Sequence, residues 1–177
     1  AIIPASLLSQ NQECYLLMVG KEASVDGNVY LAHNNDLSGT EAAMLVRVSA
    51  EEVIEELPGF SWPPGSGYDM LVLQIYKGFD EGDAVAINEY GVAIAGGLAL
   101  GKDRNRKAEL ADPLVESGLG GGARYIALKH ARTARQCVEL IGRLYTQFGV
   151  KYPSGFGVAD SNEIWYVEAG GGHSWAA

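Results

Sequence analysis

Two cysteines, three histidines and one run of short polar side chains are the groups in this 177-residue sequence with the chemistry to act on a substrate. Cys14 follows the polar stretch Ser9-Gln10-Asn11-Gln12-Glu13 and opens an apolar one, Tyr15-Leu16-Leu17-Met18-Val19. A thiol so placed can serve as a nucleophile, because the thiolate is the attacking species and needs only a base beside it. From composition alone, a buried structural thiol at a strand start is the plainer reading. Cys137 is different: with Ile141, Leu144 and Phe148 it falls at 4-3-4 spacing on one helical face, where a thiol packs as a small apolar group. His33-Asn34-Asn35-Asp36 gathers an imidazole, two amides and a carboxylate in one short turn, for which facing solvent is the ordinary role. His33, His130 and His173 are too scattered for a zinc spacing and no Cys-x-x-Cys occurs, so neither a metal nor another cofactor is expected. The glycines 118, 120, 121 and 122 precede a helical stretch but lack the Lys-Ser/Thr of a phosphate loop. No Gly-x-Ser-x-Gly elbow is present.

The elements that must position these groups are short. Strands are expected over residues 14–19, 29–32, 43–48 and 70–75, with a loop over 20–28 containing the turn pair Asp26-Gly27. Residues 58–67 hold three prolines and three glycines and must form a surface loop, one able to line a pocket. Residues 83–87 and 92–100 read as a hairpin across Asn88-Glu89-Tyr90-Gly91. The period then becomes helical over 123–131 and 133–148. Thr133 and Gln136 form a capping box at the second start, and Gly149 stops it. A last hairpin joins 156–159 to 164–168 around Asp160-Ser161-Asn162-Glu163. Strands, two helices and strands again argue an α+β layered fold rather than a βαβ one.

Composition bounds the partners. Hydrophobic residues at 47% against 20% charged supply a real core for one domain over residues 14–177, preceded by an aperiodic lead of residues 1–13. Thirteen basic against twenty-two acidic residues give a net charge of −9, which repels phosphate backbones and anionic lipid, so neither nucleic acid nor membrane is expected as a partner. No apolar run approaches the roughly 18–20 residues needed to cross a bilayer. Glycine, at 23 residues, is abundant and clustered, which suits bends and close backbone approach.

Five ordered blocks resemble the bacterial and archaeal dipeptidase A/D family, relatives of the secernins. They are Cys14-Tyr-Leu-Leu-Met-Val-Gly-Lys-Glu-Ala-Ser-Val-Asp-Gly with its Asn34-Asn35-Asp36 turn, Asn88-Glu-Tyr-Gly-Val-Ala-Ile94, Ala111-Asp-Pro-Leu-Val-Glu116, Thr133-Ala-Arg-Gln-Cys-Val-Glu-Leu-Ile-Gly142, and Ala159-Asp-Ser-Asn-Glu-Ile-Trp-Tyr-Val-Glu168 with Gly171-Gly-His-Ser-Trp-Ala-Ala177. The resemblance implies an N-terminal-nucleophile hydrolase with an αββα sandwich, of which this chain supplies only part, as the first part of a longer or truncated protein or as one chain of a cleaved one that a second chain completes, a reduced relative being the alternative; a homo-oligomer is also expected. It implies that Cys14 is the nucleophile and bears the base on its own α-amino group once the Glu13–Cys14 bond is cut. It makes residues 1–13 a pro-segment and the uncut protein a zymogen. Asp36 then orients the amine, and Asn34 or Asn35 holds the loop or the acyl oxygen. Related cysteine amidases carry Arg where this chain has His33, and an oxyanion-hole Asn where it has Gly97-Leu98-Ala99. His33, Gly97 and Leu98 are therefore expected on the substrate side, with the Gly97 backbone amide as oxyanion donor. The implied substrate is a small peptide. Non-peptide acyl amides, of the penicillin V or conjugated bile acid kind, and an inactive binding scaffold are the alternatives.

Overall fold

A computed structural model describes residues 14–34, 43–53, 57, 60, 62, 65–75, 84–98, 119, 122–151 and 153–177, with backbone alone at 75, 84 and 98. Its strands are β1 (Tyr15–Val19), β2 (Tyr30–Asn34), β3 (Ala43–Val48), β4 (Met70–Ile75), β5 (Ala84–Asn88), β6 (Ala93–Leu98), β7 (Ser154–Ala159), β8 (Ile164–Gly171) and β9 (Ser174–Ala176). Helices α1 (Gly122–Lys129) and α2 (Ala134–Phe148) lie between β6 and β7. Strands β3 to β9 form one seven-stranded antiparallel sheet in chain order, and β1 pairs with β2 in a separate two-stranded ribbon. The architecture is thus α+β, built on a large antiparallel sheet.

Side-chain alternation along β6 and β7 assigns the two faces of the sheet. Ile94, Phe156 and Val158 are buried in the core that the two helices cap. On the reverse face the paired positions are Ala93 with Ala159, Ala95 with Gly157 and Gly97 with Gly155, none larger than a methyl. The ribbon lies there. A Cβ added at Gly157 would stand 2.6 Å from Leu31 Cδ1, 3.3 Å from Met18 Sδ and 3.6 Å from Leu16 Cδ2. The layers are therefore helices, sheet and ribbon, with α1 over β5 and β6 and α2 over β7 to β9.

The helix layer is fixed by its ends. Thr133 caps α2, accepting from the Gln136 N–H at 3.1 Å, and Gly149 ends it at φ 74°. The reciprocal half of the capping box lands one residue earlier than expected, because the Gln136 side chain accepts from the Arg132 N–H at 2.8 Å. Cys137, Ile141 and Leu144 are fully buried and Phe148 half-buried, as their spacing requires. Asp160 joins the β7–β8 turn to α2: one oxygen accepts from the Asn162 and Glu163 N–H groups and the other from the Ala134 N–H at 2.7 Å. Burial disfavours its charge, yet these backbone donors outweigh that and hold the carboxyl below its ordinary value.

Several boundaries depart from the sequence pattern: β7 opens two residues early at Ser154, β8 runs on to Gly171 and α1 ends at Lys129. Strand β2 starts one residue late and runs on through His33 and Asn34, because both pair with β1, at Leu16 and Tyr15. Asn88 closes β5 instead of opening the turn. Its amide donates to the Leu128 carbonyl at 2.8 Å and the Ala131 carbonyl at 2.7 Å, and its oxygen accepts from the Tyr90 and Val92 N–H groups at 3.0 and 3.1 Å. Strand β9, unannounced in the glycine-rich tail, pairs with β8 beyond an irregularity between Ala169 and Gly171. Of the 58–67 loop, Phe60 and Trp62 turn inward; Trp62 stacks on His130 with centroids 3.8 Å apart.

Asn88→Asp removes both donors and faces a carboxylate with two carbonyls. Unfolding free energy should fall by roughly 2–4 kcal/mol, since orphaned buried polar groups cost about 1–3 kcal/mol each. Urea denaturation measures it, and a midpoint equal to the parent's would contradict this role.

Candidate active site

The ribbon determines where Cys14 stands. At its turn end, a Cβ on Gly20 would lie 3.9 Å from Ile164 Cγ2, and Lys21 Nζ donates to Asn162 Oδ1 at 3.1 Å. These contacts are with the first residue of β8, which pairs with Ala159 of β7, and with the turn that precedes it. The open end of the ribbon, which carries Cys14 and Asn34, is therefore directed toward the opposite end of the β6–β7 seam. There Gly97 pairs with Gly155 and Leu98 with Ser154. The topology brings Cys14, His33 and Asn34 to the end of the sheet that holds Gly97 and Leu98.

Alternation sorts these groups further. Leu16 and Met18 face the sheet, and the same alternation carried one step upstream puts Cys14 on that side. His33, opposite Leu16, shares it and is half-buried. Asn34, opposite Tyr15, is exposed on the outer side. Glu13, Asn35 and Asp36 lie outside the described residues, as does the side chain of Leu98. Gly97 is buried in β6.

The two thiols contrast sharply. Cys14 is exposed, whereas Cys137 is fully enclosed in α2, where burial pushes its thiol far up from the ordinary value. Only an ionised sulfur attacks a carbonyl, so Cys137 is a packing group.

Two side chains that the pattern of the sequence did not single out border the same end. Tyr166 on β8 reaches across Gly155, its hydroxyl within 2.5 Å of where a Cβ would stand, and donates to Glu168 Oε1 at 3.3 Å. Burial, then the Glu168 charge and this bond, raise the Tyr166 hydroxyl above its ordinary value. The missed signal is Gly155 itself, a residue without a side chain placed to let a ring lie over it. Among the described residues no group of three His, Cys, Asp or Glu side chains converges to hold a metal.

A sequence profile of peptidase family C69 matches residues 13–177. A protein of Salmonella dublin named "Probable dipeptidase" is 37% identical over 177 aligned residues, covering 93% of this chain and 40% of that protein. A "Dipeptidase" of Bifidobacterium longum is 31% identical, covering 93% of this chain and 34% of its own. A further "Probable dipeptidase", from Latilactobacillus sakei, is 29% identical, at 93% and 36%. The chain spans two fifths or less of the length of these relatives.

Iodoacetamide should label Cys14 alone in the native protein and both thiols in denaturant, read by peptide mass. Rapid native labelling of Cys137 would contradict the assignment of the two sulfurs.

Proposed function

Since the chain belongs to peptidase family C69, we propose that it is the nucleophile-bearing part of a cysteine-type dipeptidase of the N-terminal-nucleophile class, with Cys14 as nucleophile. The observation that carries the reading is the position of that residue. Its exposed thiol opens a ribbon laid on a side-chain-free seam, at the end where Gly97 lies. The dipeptidase names of the relatives favour a small peptide over other acyl amides.

In this reading the Glu13–Cys14 bond is cut and the freed α-amine of Cys14 is the base. An α-amine has a pKa of about 7.7–8.0 and accepts a proton near neutral pH, which an amide nitrogen does not. The amine takes the thiol proton, and the thiolate adds to the substrate carbonyl, whose π pair moves to oxygen. Collapse expels the C-terminal amino acid with the proton held by the ammonium. Water, deprotonated by the same amine, then cleaves the thioester. Asp36 orients the amine, Asn34 or Asn35 steadies the loop, and His33, Gly97 and Leu98 line the acyl side.

The ribbon is also, in this reading, the start of the second sheet of an αββα sandwich. Its outer face carries Tyr15, Leu17 and Tyr30, and the bare part of the large sheet carries Leu45, Leu71 and Ile87, all exposed. Such apolar surface calls for further layers. Relatives more than twice the length of this chain have the polypeptide to supply them.

Cys14→Ala in the full-length protein should abolish hydrolysis across a dipeptide panel, while Cys137→Ala keeps its rate and loses roughly 1 kcal/mol of stability. Residual turnover in Cys14→Ala at the parental rate would end the proposal. Asp36→Asn should lower turnover by about 10²–10⁴-fold in a folded protein, the scale for a misplaced base.

Intact mass decides the activation step: active protein should begin at Cys14. An uncut chain that hydrolyses dipeptides would show that the base is not the α-amine.

A further inference from the structure

The face of the large sheet that carries the ribbon continues past it onto β8. Tyr166 pairs with Gly157 and Glu168 with Gly155, so both stand one strand aside from the β6–β7 seam. The Tyr166 side chain leans from the level of Gly157, where Leu31, Met18 and Leu16 pack, to the level of Gly155. Its hydroxyl oxygen lies 2.5 Å from where a Cβ of Gly155 would stand, which places it on the ribbon's side of the sheet. There it donates to Glu168 Oε1 at 3.3 Å, so the carboxylate shares that side. The level of Gly155 is also that of Gly97, the end of the seam toward which the ribbon directs Cys14. Both side chains are exposed. Among the described residues the ion pairs are Arg47 with Asp69 and Arg135 with Glu163, and no basic side chain there answers Glu168.

We infer that Glu168, held by Tyr166, binds the free α-ammonium of the substrate's first residue and so selects peptides with an open N-terminus over other acyl amides. The inference rests on the reading of Cys14 as nucleophile. A dipeptide carries its ammonium on the carbon next to the scissile carbonyl, so the nitrogen lies about 2.5 Å from the carbon under attack. The sulfur approaches that carbon to about 3–3.5 Å, and an ammonium meets a carboxylate at about 2.8 Å. A carboxylate serving this substrate therefore stands within about 9 Å of the sulfur. Strand β8 is displaced from β7 by about 4.8 Å, a sideways step that this reach accommodates. The Tyr166 hydroxyl fixes one oxygen of the carboxylate, so the group is oriented before substrate arrives. An acyl chain without the ammonium covers the same carboxylate and gives it no partner, which costs binding and sharpens the choice. Glycine at 155 is what lets the hydroxyl take this position.

The test uses the full-length protein, a dipeptide of apolar side chains and the same dipeptide N-acetylated. The parent should cleave the free dipeptide with a kcat/KM about 10–100-fold above that of the acetylated one, the scale of a hydrogen bond to a charged group. Glu168→Gln keeps the shape and removes the charge. It should raise KM for the free dipeptide by about 10–100-fold with kcat within about threefold, and leave kcat/KM for the acetylated one within about twofold of the parent. Tyr166→Phe should move KM the same way by about 2–10-fold, and it carries the test should Glu168→Gln not fold. A parental KM for the free dipeptide in the folded variants overturns the inference. So do equal losses on both substrates, which mark general damage to the site, and a parent indifferent to acetylation. Cys14→Ala run alongside separates the levels. If it remains active, the nucleophile reading fails; if it is dead while Glu168→Gln keeps the parental preference for the free dipeptide, only the role of Glu168 fails.

Discussion

A bare strip of backbone on two central strands is the constraint on which the rest of this structure depends. Ala93, Ala95, Gly97, Gly155, Gly157 and Ala159 leave one face of β6 and β7 without any side chain beyond a methyl. Leu16, Met18 and Leu31 can therefore come down onto the sheet itself. Interiors are close-packed, so a ribbon that fits this strip has little freedom to slide along it. Its far end is tied by Lys21 to Asn162. The place of Cys14 follows from packing several residues away, on strands rather than on a loop.

The same strands do opposite work on their other face. Ile94, Phe156 and Val158 pack against α1 and α2, alternating one for one with the small residues. One strand pair thus serves a dense layer and an intimate one. Asn88 stitches the β5–β6 turn to the end of α1 with all four of its hydrogen-bonding positions used, so the helix layer is held at a fixed height over the sheet. Lys129, buried at the last position of α1, donates to the Ser49 carbonyl, and burial lowers its ammonium from the ordinary value.

Much of this was legible in the chain. The strands and helices are local events with local signatures: Thr133 and Gly149 bracket α2, and the 4-3-4 apolar spacing gives its buried face. The contrast between Cys14 and Cys137 followed from the same logic, strand start against helix face. Less legible were events that need a partner distant in sequence. His33 and Asn34 look like a turn until β1 is there to pair with them. Asn88 looks like a turn former until the carbonyls of Leu128 in α1 and Ala131 just beyond it arrive. Arg124 looks like any helical cation, because nothing within its own helix announces that it donates to the Gly96 carbonyl. Strand β9 is three residues long and exists because β8 offers an edge.

The order of the strands has a consequence in time. Within the large sheet β4 to β6 and β7 to β9 are joined by short connections and can each form by local zippering, whereas β3 reaches β4 across residues 49–69. The longest connection is that of β6 to β7, whose pairing waits on the chain from Leu98 to Ser154 and both helices. Closing so long a loop is an entropic cost met only after nearby contacts are in place. The platform beneath Cys14 is that junction. A newly made chain therefore acquires its hairpins before it acquires a surface for the ribbon, and Cys14 reaches its place among the final events of folding.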